Sequence, residues 1–305
     1  MVDTGESGRT SALQVSAELW RHPLTTDAPG ASTGPAHPSD RIDTSVAHPA
    51  RRYNYWLGGK DNFQADRESG DAMAAAFPTV RIAALENRRF LQRAVDYLAR
   101  EAGMRQFLDI GTGIPTADNT HEVAQAVVPQ ARVVYVDNDP IVLAHARALL
   151  TSSPEGATAY IDADLRDPEK ILRHPDLGRT IDLGQPVALM LVAILHFLPD
   201  PDEPYALVRR LLDALPAGSY LAASHATYDY LAPQVAQEAQ AVTRNGGSRE
   251  AVSLRSRKEF ADLFAGLELV DPGVVSVAEW RAEREPQPRP SVADVSMYGA
   301  VARKP

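Results

Sequence analysis

The chain of 305 residues contains no cysteine, which removes disulfides, thiolate-held zinc, iron–sulfur clusters and a thiol nucleophile together. Long apolar runs are also missing: nowhere do about 18 apolar residues follow one another, the length a membrane-crossing helix needs. The opening stretch MVDTGESGRTSALQVSAELW has early acids and no continuous apolar segment, so no secretory leader is read there. A cytoplasmic protein is the expectation. Nor is there an excess of positive charge. With 31 Lys and Arg against 40 Asp and Glu, a formal −9, the chain has no general attraction for nucleic acid or anionic lipid. Neither is expected as a partner, and a small-molecule acceptor is. No H-E-x-x-H motif and no closely paired histidines occur, so no metal is expected.

Apolar residues make up 44% of the chain, enough for an ordinary core. Residues 22–49 are rich in Pro, Ser, Thr and Gly and poor in large apolar side chains; such a segment cannot offset its own ordering entropy. Residues 1–45 therefore read as a flexible arm, and 46–305 as one domain. Beyond the arm, apolar strand patterns alternate with helical ones, as in a parallel sheet covered on both faces. The strands predicted are Gln106–Ile110, Arg132–Asp137, Ala157–Ile161, Val187–Phe197, Ser219–His225, Leu267–Val277 and Ser296–Val301. Helices are predicted near Glu86–Glu101, Asn119–Val127, Pro140–Leu150, Glu203–Leu215 and Arg257–Phe264. The fold class is α/β, a Rossmann-like, seven-stranded, mostly parallel sheet whose last two strands form an antiparallel edge hairpin.

The first strand runs into FLDIGTGIPT. A dinucleotide turn needs G-x-G-x-x-G/A, with a third small residue behind the pyrophosphate. Gly111 and Gly113 are present, but position 116 is Thr, and Asp109 stands at the strand end. A carboxylate there repels a pyrophosphate and attracts ammonium or sulfonium charge. S-adenosylmethionine carries such a charge, and the glycines let backbone approach its nucleoside. The plain alternative is a strand-to-helix turn with a capping Asp. The second strand ends in Asp137, followed by Asn138, where an acid can accept both ribose hydroxyls. That acid is read as an exposed strand tip. After the third strand, Asp164 can take an adenine amino group while Leu165 covers the base. Singly, each acid has an equal alternative as a cap or solvated loop residue. Together they line the crevice at the strand ends where open sheets bind ligands.

The blocks RRYNYWLGGKDNFQADRE, ENRRFLQRAVDYLA, RQFLDIGTGIPTADNTHEVAQ, ARVVYVDNDPIVLAHARALL, DADLRDPEKIL, PVALMLVAILHFLPD and GSYLAASH together resemble the actinobacterial S-adenosylmethionine-dependent methyltransferase family first catalogued as a domain of unknown function. The likeness runs from about residue 48 to the C-terminus. It implies a class I methyltransferase fold and S-adenosyl-L-methionine as cofactor, without an acceptor. Carried over by position, the cofactor turn falls on Asp109, Gly111, Thr112 and Gly113, and the later acids on Asp137 and Asp164.

The N-terminal block precedes the first strand, so it must fold back over the strand ends as a lid, residues 46–84, to take part. Tyr53, Tyr55 and Trp56 give it apolar cover, Tyr55 on the acceptor side, and Lys60 and Asn62 are candidate cofactor contacts, Lys60 for the methionine carboxylate. A lid without ligand contact is the alternative, and a nucleic-acid stacking patch of Arg51, Arg52 and the aromatics is a weaker one. Arg88 and Arg89 extend the positive surface or pair with Glu86, with Arg89 on a solvated face. His196, in AILHFLPD, is the candidate general base, and His225 a second candidate near the acceptor. Residues 227–255 interrupt the alternation and read as an acceptor cap, with Tyr228 and Tyr230 as pocket candidates. The expected activity is methyl transfer to an oxygen or nitrogen nucleophile of a small molecule. A non-catalytic binder of S-adenosylmethionine or S-adenosylhomocysteine is the rival, and an NAD-dependent oxidoreductase is disfavoured by Asp109 and Thr116.

Overall fold

The computed structural model describes residues 42–149, 151–245 and 252–305. Up to residue 41 the expected arm lies outside the described residues, as do 246–251 of the expected cap. In chain order come helices α1 (Pro49–Trp56), α2 (Gln64–Ala76) and α3 (Val80–Arg100), then β1 (Gln106–Ile110), α4 (Thr120–Val127), β2 (Arg132–Asp137), α5 (Pro140–Leu149) and β3 (Ala157–Asp162). Next are α6 (Pro168–Leu172), α7 (Pro175–Thr180), β4 (Ala188–Leu191), α8 (Pro204–Asp213), β5 (Tyr220–Ala226), α9 (Pro233–Asn245) and α10 (Arg257–Asp262). The chain closes with β6 (Glu268–Leu269), β7 (Val275–Ser276), α11 (Val292–Val295) and β8 (Met297–Arg303).

The strands form one eight-stranded sheet in the order β3-β2-β1-β4-β5-β8-β6, with β7 also paired to β8. The first five are mutually parallel and β8 runs antiparallel to β5, β6 and β7. This is the Rossmann-like class I methyltransferase arrangement that the sequence predicts. The chain reverses its direction of winding between β1 and β4, so the carboxyl ends of β1, β2 and β4 open on one crevice. The central strands are apolar without alternation because both faces are covered. Leu108, Val134 and Leu189 pack on one side with α8, while Phe107, Val133 and Met190 pack on the other with α3.

Two predicted strands are corrected. Val187–Phe197 stops at Leu191, because Ala193 adopts φ 56° and gives its N–H to the Ser224 hydroxyl (2.9 Å) in place of a strand partner. His196 therefore sits in a 3-10 turn, Leu195–Phe197, and not on a strand. Leu267–Val277 divides into β6 and β7 around Pro272, which has no N–H, and Gly273 at φ 80°. The hairpin thus supplies three strands, which brings the sheet to eight.

Sequence reading also missed α1, α2, α6, α7 and α11, of which the first two bear on the site. α1 begins on Pro49, where a missing N–H costs nothing, and ends at Gly58, φ 81°. α2 starts where the Asp66 carboxylate accepts the Phe63 N–H at 2.8 Å. The two pack so closely that a Cβ on Gly70 would lie 2.8 Å from Tyr55 Cδ1. Arg89 is not on a solvated face. It pairs at 2.7 Å with Glu86, which is buried and also held by Arg289, and this cluster fastens the Pro-rich stretch before α11 to α3. Among the described residues, no helix is long and apolar enough to cross a membrane.

Candidate cofactor and acceptor site

β1 delivers Asp109 to the crevice, buried and bonded to the Thr120 hydroxyl at 2.5 Å. Gly111 follows at φ 77°, and its N–H donates to Val136 O at 2.8 Å, so the turn hangs from β2. A Cβ on Gly111 would come within 2.7 Å of Ile194. Gly111→Ala is therefore expected to cost about 1–2 kcal/mol for the left-handed backbone alone. The displaced turn should weaken binding of S-adenosylhomocysteine, read by calorimetry beside a melting curve.

Asp137 is no exposed tip: it is buried, its Oδ2 accepting from Gly113 N and its Oδ1 from Asp139 N, both at 2.9 Å. These bonds arise because Gly113, at φ 68°, turns its N–H back towards β2. A carboxylate has about four acceptor positions, so two remain for a ligand. Burial pushes Asp137 up to about 7 against the help of those backbone donors. It pushes Asp109 up to about 6 against the help of Thr120. Asp164 is oriented by Asn138 Nδ2 at 2.9 Å and by Arg166, whose guanidinium approaches to 3.2 Å. Arg166 also donates to Phe197 O (2.9 Å) and Asp202 (2.7 Å), tying the loop after β3 to the turn after β4.

That turn carries His196, which is buried, and neither ring nitrogen has a hydrogen-bond partner among the described residues. Burial, aided by His225, Arg52 and Arg255, holds its basicity well below that of an ordinary imidazole, so the ring is neutral. Behind it, Arg255 is 3% exposed and bonds Leu195 O (3.2 Å), Leu198 O (3.0 Å), His225 Nε2 (3.0 Å) and Asp200 (3.0 Å). His225 Nδ1 donates to Ala226 O at 2.7 Å, which leaves Nε2 as the acceptor facing Arg255. Burial lowers His225 to about 4, and the Arg255 charge adds to this. Ser253 N donates to His196 O at 2.8 Å, so the segment before α10 holds the histidine turn. Arg255→Gln is expected to raise the titration midpoints of both histidines in 15N NMR while leaving affinity for S-adenosylhomocysteine unchanged.

The N-terminal helices roof this edge. Arg51 is buried between Asp139 (3.3 Å) and Asp66 (3.7 Å), and Asp66 also accepts the His48 N–H at 2.8 Å. Tyr53 OH donates to Ala84 O (2.8 Å) and joins α1 to α3. Beneath lies a cavity of about 240 Å³ reaching from the glycine turn to His196 and Tyr228. One water needs only roughly 10–15 Å³ on this measure, so the space suits an organic ligand. It is lined by Asp109, Gly111, Thr112, Gly113, Asp137 and Asn138, and further by Asp164, Leu165 and His196.

The turn that only glycine permits and the paired acids at successive strand ends fit an adenosyl ligand with a positive centre. A family profile described as S-adenosyl methyltransferase matches residues 35–305. The chain belongs to the S-adenosyl methyltransferase family. Its cofactor is S-adenosyl-L-methionine. Among solved structures it is similar to a DUF574 family protein from Streptomyces avermitilis MA-4680, with 50% identity over 87% of this chain and 100% of that one, TM-score 0.82. It is also similar to a candidate methyltransferase from Thermobifida fusca YX, with 45% identity over 86% of this chain and 96% of that one, TM-score 0.78. No curated protein matches the chain.

In this S-adenosyl methyltransferase some sequence candidates stand away from the cavity. Lys60 is exposed and absent from the lining, because the Gly58-Gly59 bend carries it past the rim. Asn62 Nδ2 is held by Asn54 (3.1 Å) and Gly59 O (2.9 Å), which shapes the loop. Tyr55 turns its hydroxyl to Asp71 at 2.7 Å, leaving Tyr53 and Trp56 to face inward. Tyr230 packs on the Tyr298 ring at 5.0 Å, and His225 lies one layer beneath His196. The cavity instead receives Arg88, whose Nη2 is fixed by Ala117 O (3.1 Å), Asp118 O (3.0 Å) and Asn119 Oδ1 (3.0 Å). Its sequence signal was ENRRF, where the helical turn sends Arg88 to the cavity and Arg89 to Glu86.

Proposed function

We propose that this family member transfers a methyl group from S-adenosylmethionine to an oxygen or nitrogen of a small molecule, with residues 46–84 as lid and 227–255 as acceptor cap. The observation that carries this is one continuous cavity, acid-lined at the carboxyl ends of β1 and β2 and apolar from His196 to the roof. When bound, the cofactor supplies a methyl group on positively charged sulfur. Asp137 accepts the ribose hydroxyls with the acceptor positions left by Gly113 and Asp139. Asp164, aligned by Asn138 and Arg166, faces the adenine with Leu165. Asp109 sets a negative field at the glycine turn, and Arg88, in place of Lys60, provides the cation for the methionine carboxylate. Tyr228 lines the acceptor side and His196 stands beside the acceptor as proton acceptor. Displacement at a sulfonium centre has a good leaving group, so holding the acceptor in line supplies most of the acceleration.

The test is two-stage. Calorimetry should show S-adenosylmethionine and S-adenosylhomocysteine binding and NAD not binding. Incubation of the full chain with methyl-labelled cofactor and extract of the encoding cells should then place label in a small-molecule fraction. Tight cofactor binding with no label in any fraction would leave a non-catalytic binder as the better description.

A further inference from the structure

β4 pairs with β5 up to Leu191, opposite Ala223, and there the ladder ends. Shortly beyond, Ala193 stands at φ 56°, a backbone that any side chain with a Cβ disfavours. Such a residue persists where its surroundings over-determine it, and these positions gather at functional sites. Here a chain of hydrogen bonds holds it. The Ala193 N–H donates to the Ser224 hydroxyl at 2.9 Å, Ser224 donates to Asn87 Oδ1 at 2.5 Å, Asn87 Nδ2 to Tyr53 OH at 2.9 Å, and Tyr53 to Ala84 O at 2.8 Å. An N–H can only donate and a carbonyl can only accept, so the two ends fix the direction of the whole chain, and each hydroxyl uses its single proton. Turning any one member unpairs its neighbour. Ser224 and Asn87 are both buried, where an unpaired polar group is costly. The chain crosses the fold, with Ser224 on β5, Asn87 on α3 and Tyr53 on the roof helix α1. Past Ala193, Ile194 backs the glycine turn, where a Cβ on Gly111 would meet it at 2.7 Å, and His196 lines the cavity. Further along, Arg255 holds Leu195 O and Leu198 O. The entry to the turn rests on Ser224.

We propose that Ser224 is a positioning residue for the transfer: backed by Asn87 and Tyr53, it fixes Ala193 in its left-handed conformation and so delivers His196 to the cavity. This rests on the transferase reading above, in which His196 is the proton acceptor. Without the Ser224 hydroxyl, the Ala193 N–H loses its partner and the backbone relaxes to negative φ. The residues between Ala193 and His196 must then turn with it, and the ring leaves its place. Because Tyr53 closes the chain of hydrogen bonds, the roof helix and the histidine are set together.

The test compares the ring 15N and 13C resonances of His196 in the full chain, free and saturated with S-adenosylhomocysteine, for the parent, Ser224→Ala, and Ser224→Ala combined with Ala193→Gly. Ser224→Ala should shift and broaden these resonances. Adding Ala193→Gly should return them towards the parent, since glycine takes positive φ without a Cβ penalty. The melting temperature of the double variant should stay below the parent's, because Asn87 Oδ1 still lacks its donor. A hydrogen bond serving stability alone would lower the melting temperature with the His196 resonances unmoved, or would give shifts that the glycine does not reverse; either result overturns the proposal. Should Ser224→Ala fail to fold, Tyr53→Phe removes the far end of the chain and keeps the Ser224 hydroxyl. It should move the same resonances by a smaller amount, and unmoved resonances there would overturn the proposal as well. Failure of S-adenosylhomocysteine to bind would strike the cofactor reading instead, while the comparison in the free chain still decides the role of Ser224.

Discussion

Asp137→Asn should strip the protein of its cofactor. The substitution is nearly isosteric, yet it removes the charge proposed to accept the ribose hydroxyls and turns an amide N–H towards either Gly113 N or Asp139 N, both now at 2.9 Å from a carboxylate oxygen. Two hydrogen bonds to a charged group are worth about 1.5–3 kcal/mol each, so affinity for S-adenosylhomocysteine should fall about 100-fold or more in calorimetry. Unchanged affinity would remove Asp137 from the site. The same residue sets a pH dependence. Burial raises Asp137 to about 7 and Asp109 to about 6. Binding requires the ionised forms, so affinity for S-adenosylmethionine should rise with pH and level off above about 8. At pH 5.5 Asp137 alone should reduce it by about 30-fold, from its protonated fraction. S-adenosylmethionine should suffer more than its uncharged-sulfur product if the Asp109 field acts on the sulfonium as proposed. For stability of the free protein the sign is opposite. A carboxyl whose folded value lies above its unfolded value of about 3.9 binds more protons when folded, so stability is lost as pH rises from about 4 to 7. Cofactor binding should restore it, and the melting shift on adding S-adenosylmethionine should grow across that interval.

The parts of this design that were legible in the sequence are those written in local patterns. DIGTGIPT declares a strand, a turn and a helix start within a few residues, and alternating apolar blocks declare the parallel sheet, so the crevice and its acids could be placed from order alone. Side chains acting through distant contacts could not. Arg255 reaches the turn of His196 from just before α10, and no spacing links residue 255 to residues 195–198. Lys60 was chosen over Arg88 because it ends a distinctive motif, whereas the bend at Gly58-Gly59 decides which cation turns inward. Asp137 was read as exposed because strand tips usually are, but the turns carrying Gly113 and Asp139 fold their N–H groups onto this one. The strand predicted at Leu267–Val277 was counted once where Pro272 and Gly273 divide it, a break that breaker residues signal and an apolar pattern obscures.

Asp66→Ala should detach that roof. Asp66 is fully buried, accepts the N–H groups of His48 and Phe63 at 2.8 Å each, and lies 3.7 Å from Arg51. Its loss leaves two half-buried donors without partners and Arg51 with Asp139 as its remaining counter-charge, a change that costs about 3–5 kcal/mol when a buried pair is broken from one side. Denaturant titration should show that loss, and limited proteolysis should cut between residues 42 and 79 before the sheet domain opens. Asp66→Asn, which keeps an acceptor and loses the charge, should cost less and allow the ligand measurement if the alanine variant fails to fold. The roof also connects with Asp137: Arg51 holds Asp139, and Asp139 N holds Asp137 Oδ1 at 2.9 Å. Coupling of this kind is reciprocal. S-adenosylhomocysteine should therefore protect residues 42–79 from protease in the parent chain, and Asp66→Asn should weaken ligand affinity by the factor by which it diminishes that protection. Equal affinity in the two proteins, with the roof cut faster in the variant, would separate lid from cofactor site and leave α1 and α2 as cover for the acceptor alone.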